Sequence, residues 1–123
     1  MWFEPERVFA GSELDREHPE WLLKTKPKAE GSPDMNRLLN LGLAECREWL
    51  TEHVCGLIAQ SGIGVYRQDF NFPPLDYWRD NDAEDRQGIN ENLHVQGYLE
   101  YWDELLRRNP GLWIDSCSSG GRR

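Results

Sequence analysis

At 123 residues the chain has the size of one small domain, and 38% hydrophobic with 29% charged residues is the composition of a globular rather than a disordered protein. A net charge of −8 without any basic stripe excludes a nucleic-acid backbone as the natural partner, since phosphate binding needs clustered Lys and Arg. Cys46, Cys55 and Cys117 form no Cys-x-x-Cys pair and no Cys/His metal spacing, which argues against a disulfide framework, a zinc site or any other metal. The N-terminus is no signal peptide and no long apolar span follows, so the expectation is a cytoplasmic protein without a membrane partner.

In chain order, Trp2-Phe3 running into Glu4-Pro5-Glu6 reads as the end of a strand, because Pro5 disfavours helix at Glu4 and removes a ladder donor. From Ala10 to Pro33 the Gly and Pro residues predict a loop broken only by a turn around Trp21-Leu22-Leu23, and a connection of that length is usually functional. Leu38-Leu39-Asn40-Leu41 reads as a strand closed by Gly42. Leu43, Cys46, Leu50, Val54, Leu57 and Ile58 then recur at helical spacing and predict a helix over 43–60, stopped at Ser61-Gly62. Gly64 to Gln68 is the next strand, and a polar insertion runs from Phe72 to Asn92. Val95, Tyr98, Leu99, Trp102, Leu105 and Leu106 mark one face of a helix over 94–108, and Leu112-Trp113-Ile114 opens a strand over 112–115. This alternation predicts an α/β fold with three parallel strands, near 38–41, 64–68 and 112–115, and two crossover helices on one side. Such a set cannot close a barrel or cover both faces of a parallel sheet, so both ends look cut from something larger.

The strand at Val65-Tyr66 switches abruptly to polar groups and places Asp69 at its C-terminal end, where parallel α/β architectures carry their chemistry. Asp69 is therefore the candidate nucleophile; the competing reading is a cap for the turn that Pro73-Pro74 announce. Six Trp suit either a sugar-binding groove or a plain aromatic core. Asp80, Asp82, Glu84 and Asp85 read as a solvated loop, because they lack the spacing and glycine of a calcium loop. His18, His53 and His94 show no partner pattern.

Three motifs then carry a resemblance: Trp2-Phe3-Glu4-Pro5-Glu6, Tyr66-Arg67-Gln68-Asp69-Phe70-Asn71, and Asp115-Ser116-Cys117-Ser118-Ser119-Gly120-Gly121-Arg122. Their order and approximate separation resemble glycoside hydrolase family 36, the microbial-type α-galactosidases, and His18-Pro19-Glu20-Trp21-Leu22 looks like the loop after that family's second barrel strand. The resemblance implies that residues 1–123 are the central part of a (β/α)8 TIM barrel, truncated at both ends. It implies Asp69 as the nucleophile of a retaining α-galactosidase, with Trp2 packing on the sugar, Arg67 binding its hydroxyls, and Asn71, Cys117 and Gly120 lining the sugar site. The implied partner is a carbohydrate substrate, an α-galactoside, with no cofactor; a homo-oligomeric full-length protein stays open.

Arg67 and Gln68 depart from the family's usual Lys-Trp pair before the nucleophile, which bears on sugar preference because Arg and Lys are not equivalent donors. The family pattern puts the acid/base aspartate beyond Arg123 and the paired sugar-holding aspartates before Trp2, so the isolated 123 residues are expected to be inactive. Two other readings stand beside hydrolysis: a non-catalytic carbohydrate-binding or interaction module, and a galactosyl transferase of the raffinose-synthase type.

Overall fold

The computed structural model describes residues 1–27, 31 and 33–118. In chain order the elements are β1 (Trp2–Phe3), β2 (Arg7–Phe9), α1 (Glu13–Glu17), a 3-10 turn (Pro19–Trp21), β3 (Leu22–Leu23), β4 (Asn36–Leu39), α2 (Ala44–Ser61), β5 (Val65–Gln68), α3 (Leu75–Arg79), α4 (Ile89–Arg108) and β6 (Trp113–Ser116). They make two sheets: a parallel one in the order β1-β5-β6 and an antiparallel one in the order β2-β4-β3. No helix among the described residues is long and apolar enough to cross a membrane.

Alternation along β5 sets the two faces of the parallel sheet. Tyr66 and Gln68 are fully buried, whereas Val65 is half exposed and Arg67 lies open beside it. Trp2 stands opposite Arg67, Val65 opposite Trp113 and Arg67 opposite Asp115, so these five residues share the second face. Among the described residues nothing covers that face: Trp113 is 76% exposed and Trp2 54%. Beneath the first face lie α2, buried through Cys46, Leu50, Val54 and Ile58 at four-residue spacing, and α4, buried through His94, Gly97, Tyr98, Tyr101 and Leu105. Gly62 ends α2 in the left-handed conformation, at φ 62°, and donates to the Ile58 carbonyl at 2.9 Å.

The parallel sheet has the expected number of strands, but one of them is not the expected one. Leu38–Leu41 does not join it; β4 pairs antiparallel with β2 and β3, and the third parallel strand is Trp2–Phe3. The cause is burial on both sides. Leu38 belongs to a cluster with Leu23, Phe70, Phe72, Tyr77 and Trp78, while its neighbour Leu39 faces the main core with Leu22 and Leu41. A strand packed on both faces reads as a continuous apolar run, which is also the signature of a central parallel strand.

Two stretches expected to be loops carry structure. Between Ala10 and Pro33, Ser12 caps α1 by accepting from the Asp15 N–H, and Pro19 opens the 3-10 turn. The polar insertion holds α3, and α4 begins at Ile89, earlier than its apolar spacing indicates. Asp82 is the reason for the earlier start. Its carboxylate accepts from the backbone N–H groups of Gly88 at 2.6 Å and Asn90 at 3.0 Å, and also from the Asn90 side chain, satisfying donors at the helix start. The Gly88 bond is foremost among those that hold its carboxyl below the usual range. Asp82 is thus a buried cap rather than a solvated loop residue, whereas Glu84 and Asp85 are exposed as expected.

The buried face of α4 is also rotated from the expected one: Tyr98 and Leu105 pack inward, but Val95, Leu99 and Leu106 are open, and His94 and Tyr101 take the interior positions. Both inward polar side chains find a hydrogen-bond partner there, Tyr101 through its hydroxyl and His94 through Nε2, which offsets part of the penalty for burying them, while His94 Nδ1 has no partner among the described residues. Gly97 makes the close approach. A Cβ at this position would stand 1.9 Å from the Leu41 carbonyl oxygen, inside the backbone turn that follows β4. Gly97→Ala is expected to destabilise the protein carrying this segment by about 1–3 kcal/mol through overpacking. Gly56→Ala, at an exposed position of α2 with nothing within 4 Å of a Cβ, is expected to stabilise it by up to about 1 kcal/mol. Chemical unfolding of the two variants measures both, and equal effects would contradict the packing described.

Candidate functional site

The carboxyl edge of the parallel sheet is built by ladder bonds that run one residue past each strand. The Asp69 N–H donates to the Phe3 carbonyl at 2.8 Å, and the Cys117 N–H donates to the Gln68 carbonyl at 2.8 Å. These bonds carry the pleat onward, so Asp69 follows Arg67 onto the open face. Trp2 Nε1 donates to Asp69 Oδ2 at 3.2 Å, and the Phe70 N–H donates to Oδ1 at 2.8 Å. Hydrogen bonds from the Asn71 side chain, the Phe70 N–H, Trp2 and the Cys117 thiol, in that order of weight, hold the half-buried carboxyl down to about 2 against the opposing desolvation. The turn-cap reading explains the Phe70 bond alone; the Trp2 and Cys117 bonds come from the two neighbouring strands.

Trp2, Arg67, Asp69, Asn71 and Cys117 therefore meet at one sheet edge. Gly120 lies outside the described residues. Arg67 Nη1 donates to Asp115 Oδ2 across the β5–β6 register, and this contact is foremost in raising the guanidinium's affinity for its proton. Both side chains are substantially exposed, so the pair contributes little to stability. Its consequence is local: one end of the Arg67 fork is committed to Asp115, beside the ionised Asp69. Asp115 was legible only as part of a motif, because cross-strand register is not encoded in spacing.

The loop after Asp69 is pinned on alternate residues. Phe70 and Phe72 are buried in the second cluster, with Asn71 exposed between them. The Asn71 N–H donates to Glu4 Oε1 at 2.7 Å, and Glu4 also accepts from Arg7. Behind the sheet, Gln68 Oε1 accepts from Tyr66 at 2.9 Å and Trp102 Nε1 at 2.8 Å, while Gln68 Nε2 donates to Glu6 Oε2 at 2.9 Å. His94 Nε2 lies 2.9 Å from Glu6 Oε1. His94, which has no partner pattern in the sequence, is thus paired with a carboxylate from the far end of the chain.

Among the described residues no group of three or more His, Cys, Asp or Glu side chains is placed to hold a metal. All three cysteines are free thiols, and burial pushes Cys46 up to about 12, making it unreactive, whereas Cys117 is half-buried at the site. Chemically, the edge presents an ionised carboxylate steadied by neutral donors, flanked by an indole ring and a guanidinium. Such a group stays ionised at neutral pH and is chemically suited to act as a nucleophile rather than as a base.

The chain matches the Melibiase family over residues 1–123. It is 31% identical to the α-galactosidase Mel36A of Lactobacillus acidophilus and 28% identical to the α-galactosidase AgaA of Geobacillus stearothermophilus, in both cases over 100% of this chain and 17% of the relative. Among solved structures, AgaA in complex with stachyose is similar with a TM-score of 0.79 and 25% identity, covering 99% of this chain and 17% of that one. The α-galactosidase from Lactobacillus brevis gives 0.80 and 26%, covering 98% and 16%. The chain spans about one sixth of the length of these proteins, and its three-stranded parallel sheet corresponds to one region of them, without barrel closure among the described residues. With the Melibiase match running from the first residue to the last, the chain belongs to the melibiase family, the α-galactosidases of glycoside hydrolase family 36.

Proposed function

We propose that the full-length protein carrying this segment is a retaining α-galactosidase in which Asp69 is the nucleophile. One observation carries the reading: a carboxylate kept ionised by Asn71, Phe70 and Trp2 sits at the end of the central parallel strand in a chain of this family. In the first step an Asp69 oxygen bonds to the anomeric carbon as the glycosidic C–O bond breaks, and the departing oxygen takes a proton from a general acid. Water then cleaves the resulting ester with retained configuration. The acid/base and the carboxylates that hold the sugar are contributed, in this reading, by parts of the protein outside these 123 residues. The exposed ring of Trp2 offers a stacking surface for the sugar. Arg67, tied to Asp115, offers its remaining donors to hydroxyls in a fixed orientation that a Lys would not reproduce. AgaA has been solved in complex with stachyose and with raffinose, which makes α-galactosyl oligosaccharides the substrate class to test first.

The full-length protein is expected to hydrolyse an aryl α-galactoside with retention, read by NMR of the first-formed sugar, and the isolated segment is expected not to. Asp69→Asn should lower kcat by at least about a thousandfold. Undiminished turnover by that variant, or inverted product, would contradict the proposal.

Asp69 also predicts a pH dependence of stability. Its folded value, about 2, lies below the ordinary 3.8, so its contribution is fully present above 3.8 and is lost as pH falls through the folded value. The stability difference between the parent protein and Asp69→Asn should be flat above that window and change only within it. Urea titrations at several pH values check this; a difference that varies at neutral pH would contradict it.

A further inference from the structure

Two carboxylates from one short loop grip the chain on either side of Asp69. Glu4 Oε1 takes the N–H of Asn71, two residues after it, and Glu6 Oε2 takes the side-chain amide of Gln68, the residue before it. Glu6 is wholly buried, as are Gln68, Tyr66 and Tyr101, and His94 is 1% exposed. Burying a carboxylate is costly, and a hydrophobic side chain of similar size would fill the space without that cost. The polar set instead fixes one rotamer. Tyr66 and Trp102 occupy both acceptor positions of Gln68 Oε1, so its amide nitrogen must point to Glu6. Tyr101 extends the set to α4 by its hydroxyl contact with Tyr66 at 2.9 Å, and His94 fixes the other Glu6 oxygen from the same helix. The loop is itself tied to the second sheet, for the Leu39 N–H donates to the Glu6 carbonyl at 2.8 Å.

We propose that Glu4 and Glu6 are positioning residues that set the orientation of the Asp69 carboxylate. Glu6 works through Gln68 and Glu4 through Asn71, whose own side chain bonds to Asp69. The inference rests on the reading of Asp69 as nucleophile for its kinetic consequence, but its structural content stands apart from it. A carboxylate that must approach the anomeric carbon in line gains most of its advantage from geometry, and displacement by about 1 Å can cost about a hundredfold in rate. Side-chain chemistry also predicts which substitution is tolerated. In Glu6→Gln the amide oxygen still accepts from Gln68, the bond that bears on Asp69, and the amide nitrogen donates to His94 Nε2 when that ring carries its proton on Nδ1, which has no partner of its own among the described residues. In Glu6→Leu both partners lose their acceptor.

The test uses the full-length protein with p-nitrophenyl α-D-galactopyranoside, together with amide hydrogen exchange read by mass spectrometry over residues 68–71. Glu6→Leu and Glu4→Ala should each lower kcat by about 10- to 100-fold with KM within about threefold, and should speed exchange in that segment while leaving α2 and α4 protected. Glu6→Gln should restore kcat and exchange to within about threefold of the parent. Parent-like kcat and exchange in folded Glu6→Leu and Glu4→Ala would overturn the proposal, and so would a Glu6→Gln variant as impaired as Glu6→Leu. Should Glu6→Leu fail to fold, Glu4→Ala and Glu6→Gln decide by the same readouts. A parent protein silent on this sugar would remove the α-galactosidase reading, and exchange alone then decides whether the two carboxylates hold the Asp69 segment.

Discussion

Everything at the candidate site depends on the pleat of β5. Because Tyr66 and Gln68 point into the helices, Arg67 and Asp69 must point to the open face, and a slip of one residue would exchange the two pairs. The inward pair is the better determined one. Tyr66 packs on Phe3 with ring centroids 4.8 Å apart and meets Tyr101 edge-on at 6.3 Å, and Gln68 is hydrogen-bonded on both ends of its amide. The register of the reactive-looking face is thus set from behind, by residues that never touch it. The ladder bonds of Asp69 to Phe3 and of Cys117 to Gln68 then transfer that register to the strands on either side.

The antiparallel sheet is the second support. It follows β1 directly and returns the chain to α2, and its strand β4 separates two apolar clusters by placing Leu38 in one and Leu39 in the other. Phe70 and Phe72 belong to the smaller cluster, so the loop leaving Asp69 is anchored in a core distinct from the one beneath the parallel sheet. Between these anchors Asn71 is left exposed with its side chain bonded to Asp69. A loop held at alternate residues and by the Glu4 carboxylate has little freedom to move the nucleophile candidate.

Several elements were legible in the sequence because their signal is local. The four-residue spacing of Cys46, Leu50, Val54 and Ile58 defines α2, and the switch from Val65-Tyr66 to polar groups marks the end of β5 just before Asp69. Asp69, Trp2, Arg67, Asn71 and Cys117 were found through short motifs, and the structure brings them to one edge. What failed to show needed partners distant in the chain. Trp2–Phe3 reads as a strand end, but its membership of the parallel sheet follows only from pairing with Arg67 and Gln68. The α4 face differs from its apolar spacing because polar residues occupy interior positions, where His94 meets Glu6 and Tyr101 meets Tyr66. The same holds for Asp82, whose acidic neighbourhood suggests solvent while its bonds to Gly88 and Asn90 make it a helix cap.

The proposal that Asp69 is the nucleophile predicts a single covalent event, which can be observed directly. The full-length protein would be incubated with an activated fluorinated α-galactosyl donor whose slow turnover lets the glycosyl-enzyme accumulate, then quenched, digested and mapped by mass spectrometry. The account predicts a glycosyl ester on Asp69, in the peptide that contains Gln68 and Phe70. An adduct on another carboxylate, or full turnover of the donor with no adduct at Asp69, would contradict it.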